Sequence, residues 1–196
     1  MSNLKLYFPV KPWKLLQPFG TNGAWYQKNG INIIGHNGLD IETYDGQFVY
    51  AAHDGTVTFT GEDGRGGLGI VIRTNEMYEY KDSEVYFKTI YWHMKPNTFK
   101  VKPGDVIKAG TIIAGSDNTG LSTMTHLHFG LKPIMMKGEQ DWSWFNLDQD
   151  NGYMGAIDPV PYFTNMYAQD ISAIIQGYTK LVELYTKLLS ILNLRR

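Results

Sequence analysis

The chain contains no cysteine. That excludes a disulfide framework and a thiolate metal site, so any metal must be held by histidine and carboxylate. It has no dense block of Lys and Arg, and its formal net charge is −1. Both argue against nucleic acid as a partner. No stretch reaches the roughly 20 apolar residues of a membrane span, so no transmembrane segment is expected. The first residues, MSNLKLYFPVKPWKLL, lack the unbroken apolar core of a secretory signal, because Lys5, Lys11, Lys14 and two prolines interrupt it. On this reading the chain offers no visible route of its own across a membrane.

What is present suits a globular protein. The 196 residues are 43% hydrophobic and 19% charged, enough for one domain with a sizeable core. Residues 1–30 read as irregular, rich in Pro, Gly and aromatics. From 31 to 132, short apolar runs are divided by Gly, Asp and Asn. FVYAA, GTVTFTG, GIVIRT, VYFKTIYWH, DVIKAGTIIAG and THLHFGL read as strands joined by turns. The expected product is mainly β: an antiparallel sheet curled or doubled onto itself. Residues 134–156 form an insertion loop, and AIDPVPYF (156–163) an extended closing segment. Beyond it, Ile171, Ile174, Tyr178, Leu181, Tyr185, Leu188 and Leu192 alternate three and four apart, which predicts a C-terminal amphipathic α-helix over 166–196.

There are five histidines: His36, His53, His93, His126 and His128. His36 and Asp40, in HNGLD, are of the types that bind zinc. In a straight strand they would stand about 13 Å apart, whereas donors on one tetrahedral zinc lie about 3 Å from each other. A shared ion therefore requires a bend, which Asn37-Gly38 supplies if either residue takes a positive φ. A plain hairpin turn accounts for the same residues. In HLH, strand geometry puts His126 and His128 on one face, with Cα atoms about 6.6 Å apart. One could bind a metal and the other stand beside it, or both could sit on the open face of an edge strand. His93 ends an alternating run just before Lys95-Pro96, where functional side chains gather.

Together these segments resemble the lysostaphin-type zinc metallopeptidases, peptidoglycan endopeptidases that include the Gly-Gly type. The resemblance runs in order from PFG (18–20) through GHNGLDIE, AAHDGTVTFTG, GGLGIVIRT, YWHM, VKPGDVIKAGTIIAGSDNTG and STMTHLHFGL to IDPVPYF (157–163). It implies a lysostaphin-type peptidase domain over residues 1–165. It implies Zn2+ held by His36, Asp40 and His128, with His93 and His126 as catalytic non-ligands beside it. Three protein ligands leave a fourth position for water, as in catalytic zinc sites. The implied activity is hydrolysis of peptide cross-links or stem peptides of bacterial peptidoglycan, by a zinc-activated water that the two histidines assist.

Several features depart from the family pattern. His53, in AAHDG, stands where the family has a small residue. It reads as a peripheral histidine rather than a ligand, and its one functional chance is to border the substrate groove. Residues 75–84 make a longer hairpin, and the 134–156 insertion is also long. Both are expected near the cleft, with Trp142 and Trp144 either facing substrate or packing the insertion down. DQDNG (148–152) lacks most of a calcium-loop pattern and reads as a turn. The helical tail could self-associate, pack on the catalytic domain or lie on a membrane surface. With no visible signal and no wall-binding repeat, the chain is expected to be phage-encoded, an endolysin or virion component acting on the bacterial cell wall. Two rivals stay open: a virion or wall-binding module whose zinc only orders the fold, and a zinc peptidase acting on a non-wall peptide.

Overall fold

A computed structural model describes residues 3–136 and 144–193. Strand β1 (Leu15–Gln17) leads to helix α1 (Gly23–Lys28), then β2 (Leu39–Glu42), β3 (Phe48–Tyr50), β4 (Gly55–Asp63) and β5 (Gly67–Thr74). Strands β6 (Tyr78–Tyr80), β7 (Ser83–Trp92), β8 (Val106–Ile107), β9 (Ile112–Gly115), β10 (His126–Met136) and β11 (Trp144–Asn146) follow, and helix α2 (Ala168–Asn193) closes the order. The main sheet runs β1-β2-β10-β7-β5-β4-β8, with β11 added to β10 and β6 to β7, while β3 and β9 form a second, two-stranded sheet. Among the described strands, every sheet pairing is antiparallel. The fold is therefore mainly β with a C-terminal helix, as the sequence led one to expect.

The period-2 alternation of β7 and β10 organises the molecule. Val85, Phe87, Thr89 and Tyr91 of β7 and Leu127, Phe129 and Leu131 of β10 are buried on one face. All but Thr89 join Val49 of β3 and Ile113 of β9 in one continuous core. The Tyr91 and Phe129 rings meet edge to face at 5.2 Å. Burying each such side chain contributes about 1.5–3 kcal/mol. The same alternation turns His126, His128, Gly130 and Lys132 to the opposite face. Burial of one face thus selects which side chains the sheet presents on its other face.

Some details differ from the sequence reading. Residues 1–30 are not wholly irregular: β1 pairs with β2, and α1 flanks the functional face. β10 is no edge strand, since β2 and β7 flank it. The closing segment is interrupted by a 3-10 turn at Val160–Tyr162, although Ile157 bridges Leu131 and Phe163 bridges Leu6. DQDNG is a turn, with Asn151 N–H donating to the Asp148 carbonyl. The Asp148 carboxylate takes the Tyr80 hydroxyl at 2.6 Å and the Lys81 ammonium at 2.9 Å, tying the turn to the 75–84 hairpin. Trp142 lies outside the described residues. On α2, Tyr178, Leu181, Tyr185 and Leu188 are exposed, so the described part of the helix does not pack its seam on the β domain. No helix among the described residues is long and apolar enough to cross a membrane.

His53 also sits differently. It is buried within the core rather than at the groove. Its Nδ1 lies 2.8 Å from the Asp54 carbonyl, and its Nε2 2.9 Å from Thr89 Oγ1. The carbonyl can only accept, so Nδ1 carries the hydrogen and Nε2 accepts from the threonine. Burial pushes this imidazole down to about 4. The unfolded chain, near 6.5, then binds the extra proton between pH 6.5 and 4. Stability is present above that window and declines through it as pH falls, by up to about 3 kcal/mol. Wild type should therefore lose more of its Tm between pH 7 and 4.5 than His53→Gln in chelator. Parallel Tm curves would contradict this.

Candidate metal centre

The β2–β10 register builds the first half of the site. Asp40 and His128 are direct cross-strand partners, and His126 faces Glu42 two pairs further on, on the same face of the sheet. His36 is brought in by the bend before β2. Its N–H donates to the Thr21 carbonyl, and its carbonyl accepts from Gly20 N–H, both at 2.8 Å. The bend does not use a positive φ, which neither Asn37 nor Gly38 adopts. Gly38 serves by its lack of a side chain. A Cβ there would lie 2.7 Å from the Phe129 carbonyl oxygen and 2.8 Å from two ring atoms of His128. Gly38→Ala should therefore displace the His128 ring and cost about 1–3 kcal/mol. Bound zinc per chain and Tm should both fall, and unchanged values of both would refute the packing argument.

His36 Nε2 and His128 Nδ1 lie 2.9 Å apart, and each is 3.1 Å from Asp40 Oδ1. His36 Nδ1 faces the Pro18 carbonyl at 3.3 Å, so its hydrogen belongs there and Nε2 presents a lone pair. Two imidazole nitrogens and a carboxylate oxygen thus converge at the separation of about 3 Å that donors keep around one zinc. The donor set and spacing fit such an ion, and among the described residues this is the one group of its kind.

His93 and His126 stand next to this group. Their rings are 4.5 Å apart, and the His93 ring is 6.3 Å from that of His128. His93 follows β7 with φ at +65°, a left-handed backbone that costs a non-glycine residue about 1–2 kcal/mol. Its N–H donates to the Gly66 carbonyl and its carbonyl accepts from Asp117 N–H, which hold that turn. His93 Nδ1 lies 2.6 Å from the Thr119 carbonyl and His126 Nδ1 2.8 Å from the Met124 carbonyl. In both rings Nδ1 therefore carries hydrogen, and Nε2 is left to exchange a proton. His126 Nε2 is 3.5 Å from Asp40 Oδ1.

Burial pushes Asp40 up, but the three imidazoles around it, His126, His128 and His36, together outweigh burial and hold the carboxyl far below the usual range. Burial depresses His93 to about 4 and lowers His128 as well. For His126, burial works against the charged form, yet the Asp40 hydrogen bond and charge prevail and raise it.

All five residues open into a cleft of about 650 Å³. Its lining includes residues that sequence reasoning missed. Tyr26 of α1 stacks parallel to His36 at 6.0 Å, and Trp92 lies across Gly69, where a Cβ would sit 1.5 Å from the indole. Alternation along β7 could have placed Trp92 on this face. Nothing in the pattern around Tyr26 marked α1. From the long insertion, Met154 reaches the cleft.

The sequence profile of peptidase family M23 matches residues 34–141, more than half of the chain. The glycyl-glycine endopeptidase ALE-1 of Staphylococcus capitis is 38% identical over 100 residues, covering 51% of this chain and 25% of that protein. The murein hydrolase activator NlpD of Escherichia coli is 31% identical over 125 residues, covering 63% of this chain and 29% of that protein. The chain thus spans only a quarter to a third of these relatives. Its fold is similar to the catalytic domain of lysostaphin from Staphylococcus simulans, with TM-score 0.55 and 28% identity, covering 76% of this chain and 91% of that one. A zinc-containing peptidase from Vibrio cholerae is similar with TM-score 0.53 and 28% identity, covering 66% and 37%. These relatives come from bacteria, and none of them supports the phage origin expected from the sequence. With the profile, the fold and the resemblance in agreement, the chain belongs to peptidase family M23.

Proposed function

We propose that the chain is a zinc-dependent endopeptidase that hydrolyses peptide cross-links or stem peptides of bacterial peptidoglycan. The observation that carries this reading is the pairing of two sets in one cleft. One is a three-atom donor group at His36, Asp40 and His128; the other is two further histidines whose Nε2 atoms are free to move a proton. A site that only ordered the fold would not need the second set. Bound at the first set, zinc supplies a water acidified from about 15.7 toward about 7 and polarises the scissile carbonyl.

The chain's own residues do the rest. The cleft orients the peptide and excludes bulk water. A neutral Nε2 of His93 or His126 takes the proton of the attacking water, and the protonated ring returns it to the leaving amine. The second ring, when protonated at Nε2, donates a hydrogen bond from that nitrogen to the oxygen that gains charge. A cation on Asp40 cancels the pull that this carboxylate exerts on His126, so we assign the two tasks to the pair jointly.

The likeness to NlpD favours a second reading, an activator or wall-binding module. Release of peptide amines from purified peptidoglycan, with zinc or with chelator, separates the two. Zinc-dependent release is the expected result. No release by zinc-loaded protein would overturn the hydrolase reading for this substrate.

A further inference from the structure

The face of β10 that presents His126 and His128 continues to Gly130 and Lys132. In the register, Lys132 stands opposite Lys88 of β7, and Lys88 opposite Arg73 of β5. A second hollow of about 440 Å³ opens over this part of the sheet, lined by both lysines and by Phe59, Val71, Ile90 and Trp92. It shares Asn37, Asp63, Trp92, His128 and Met154 with the cleft, so the two form one groove leading away from the metal centre.

The two lysines are unusual residues for such a floor. Both are only partly exposed, and neither is in an ion pair among the described residues. Lys132 Nζ donates to the Met154 carbonyl at 2.7 Å, a neutral acceptor. Glu62 and Asp63, at the end of β4, also line the hollow without reaching ion-pair distance of either lysine. Burial and the charge of Lys88 push Lys132 down to about 8 against a weaker opposing pull from Asp63, and burial lowers Lys88 too. Two adjacent ammonium groups over an apolar floor are unfavourable unless an anion joins them.

We propose that this hollow is a subsite for a carboxylate of the peptide substrate, held between Lys88 and Lys132. Lys132 lies four positions beyond His128 along the strand, a span of about 13 Å. An extended peptide lying along the groove covers it in about four residues. The carboxylate recognised is therefore about three or four residues from the bond cut. This assignment rests on the peptidase reading above and narrows its substrate to peptides that carry a free carboxylate at that distance.

The test uses one purified cross-linked dimer fragment of peptidoglycan, either with its carboxylates free or converted to amides. Wild type should cleave the free acid roughly ten- to a hundredfold better in kcat/KM. Lys132→Met and Lys88→Met should lower the free-acid value toward the amide value, leave the amide value unchanged and keep the Tm. Lys132→Arg should restore much of the preference. Equal loss on both fragments, or no acid preference in wild type, would overturn the subsite. Calorimetric binding of the same fragments decides the case even if neither is cleaved. Tighter binding of the acid, lost in Lys132→Met, supports the subsite while the hydrolase reading fails; equal binding removes the subsite.

Discussion

Asp40→Ala and His128→Ala should each abolish zinc binding and hydrolysis together. Asp40 Oδ1 is within 3.1 Å of both His36 Nε2 and His128 Nδ1, so its loss removes the anionic member and leaves two neutral donors. Two imidazoles hold zinc far more weakly than three ligands, and the acidified water disappears with the ion. The rate should fall on the order of a thousandfold or more. Added zinc should raise the Tm of wild type, because it binds the folded chain, and should leave both variants unmoved. The measurements are zinc per chain by elemental analysis, and Tm with and without zinc. One bound zinc per chain in either purified variant would show that the donor set has been assigned wrongly.

His93→Ala and His126→Ala should behave differently, since neither side chain belongs to the donor group. Zinc should remain bound, while the rate falls by about a hundred- to a thousandfold in each. The double variant should be little worse than either single one, because the two rings act on the same proton transfers. His126→Ala also removes the imidazole whose Nε2 lies 3.5 Å from Asp40 Oδ1, so its zinc affinity should drop modestly, whereas His93→Ala should keep full affinity. Zinc content and single-turnover rates measured side by side separate binding from chemistry. Near-normal turnover in both variants would remove these histidines from the mechanism.

How much of this was legible in the sequence can be judged residue by residue. The alternation in β7 and β10 marked which face is buried, because a period of two is a local property of any strand. The need for a bend between His36 and Asp40 followed from strand rise alone. Its mechanism did not. Gly38 is there to admit the His128 ring, from a residue 90 positions away in the chain, and no local pattern encodes that contact. His53 misled for the same reason. A histidine after AA and before a turn looks peripheral, and only the fold brings Thr89 and Tyr91 around it. Nothing local in the sequence pairs Lys88 with Lys132, and only the register sets them side by side.

By itself, then, the sequence determined the strand-rich class, the faces of the long strands, the absence of thiolate chemistry and a shortlist of imidazoles and carboxylates. Short-range geometry and side-chain chemistry suffice for those. The tertiary structure decided which donors converge, which nitrogen of each ring carries its hydrogen and where the groove runs. Those depend on pairing between strands distant in the chain. Antiparallel register fixes such pairing to within a residue, and a slip of one residue would turn every one of these side chains to the other face.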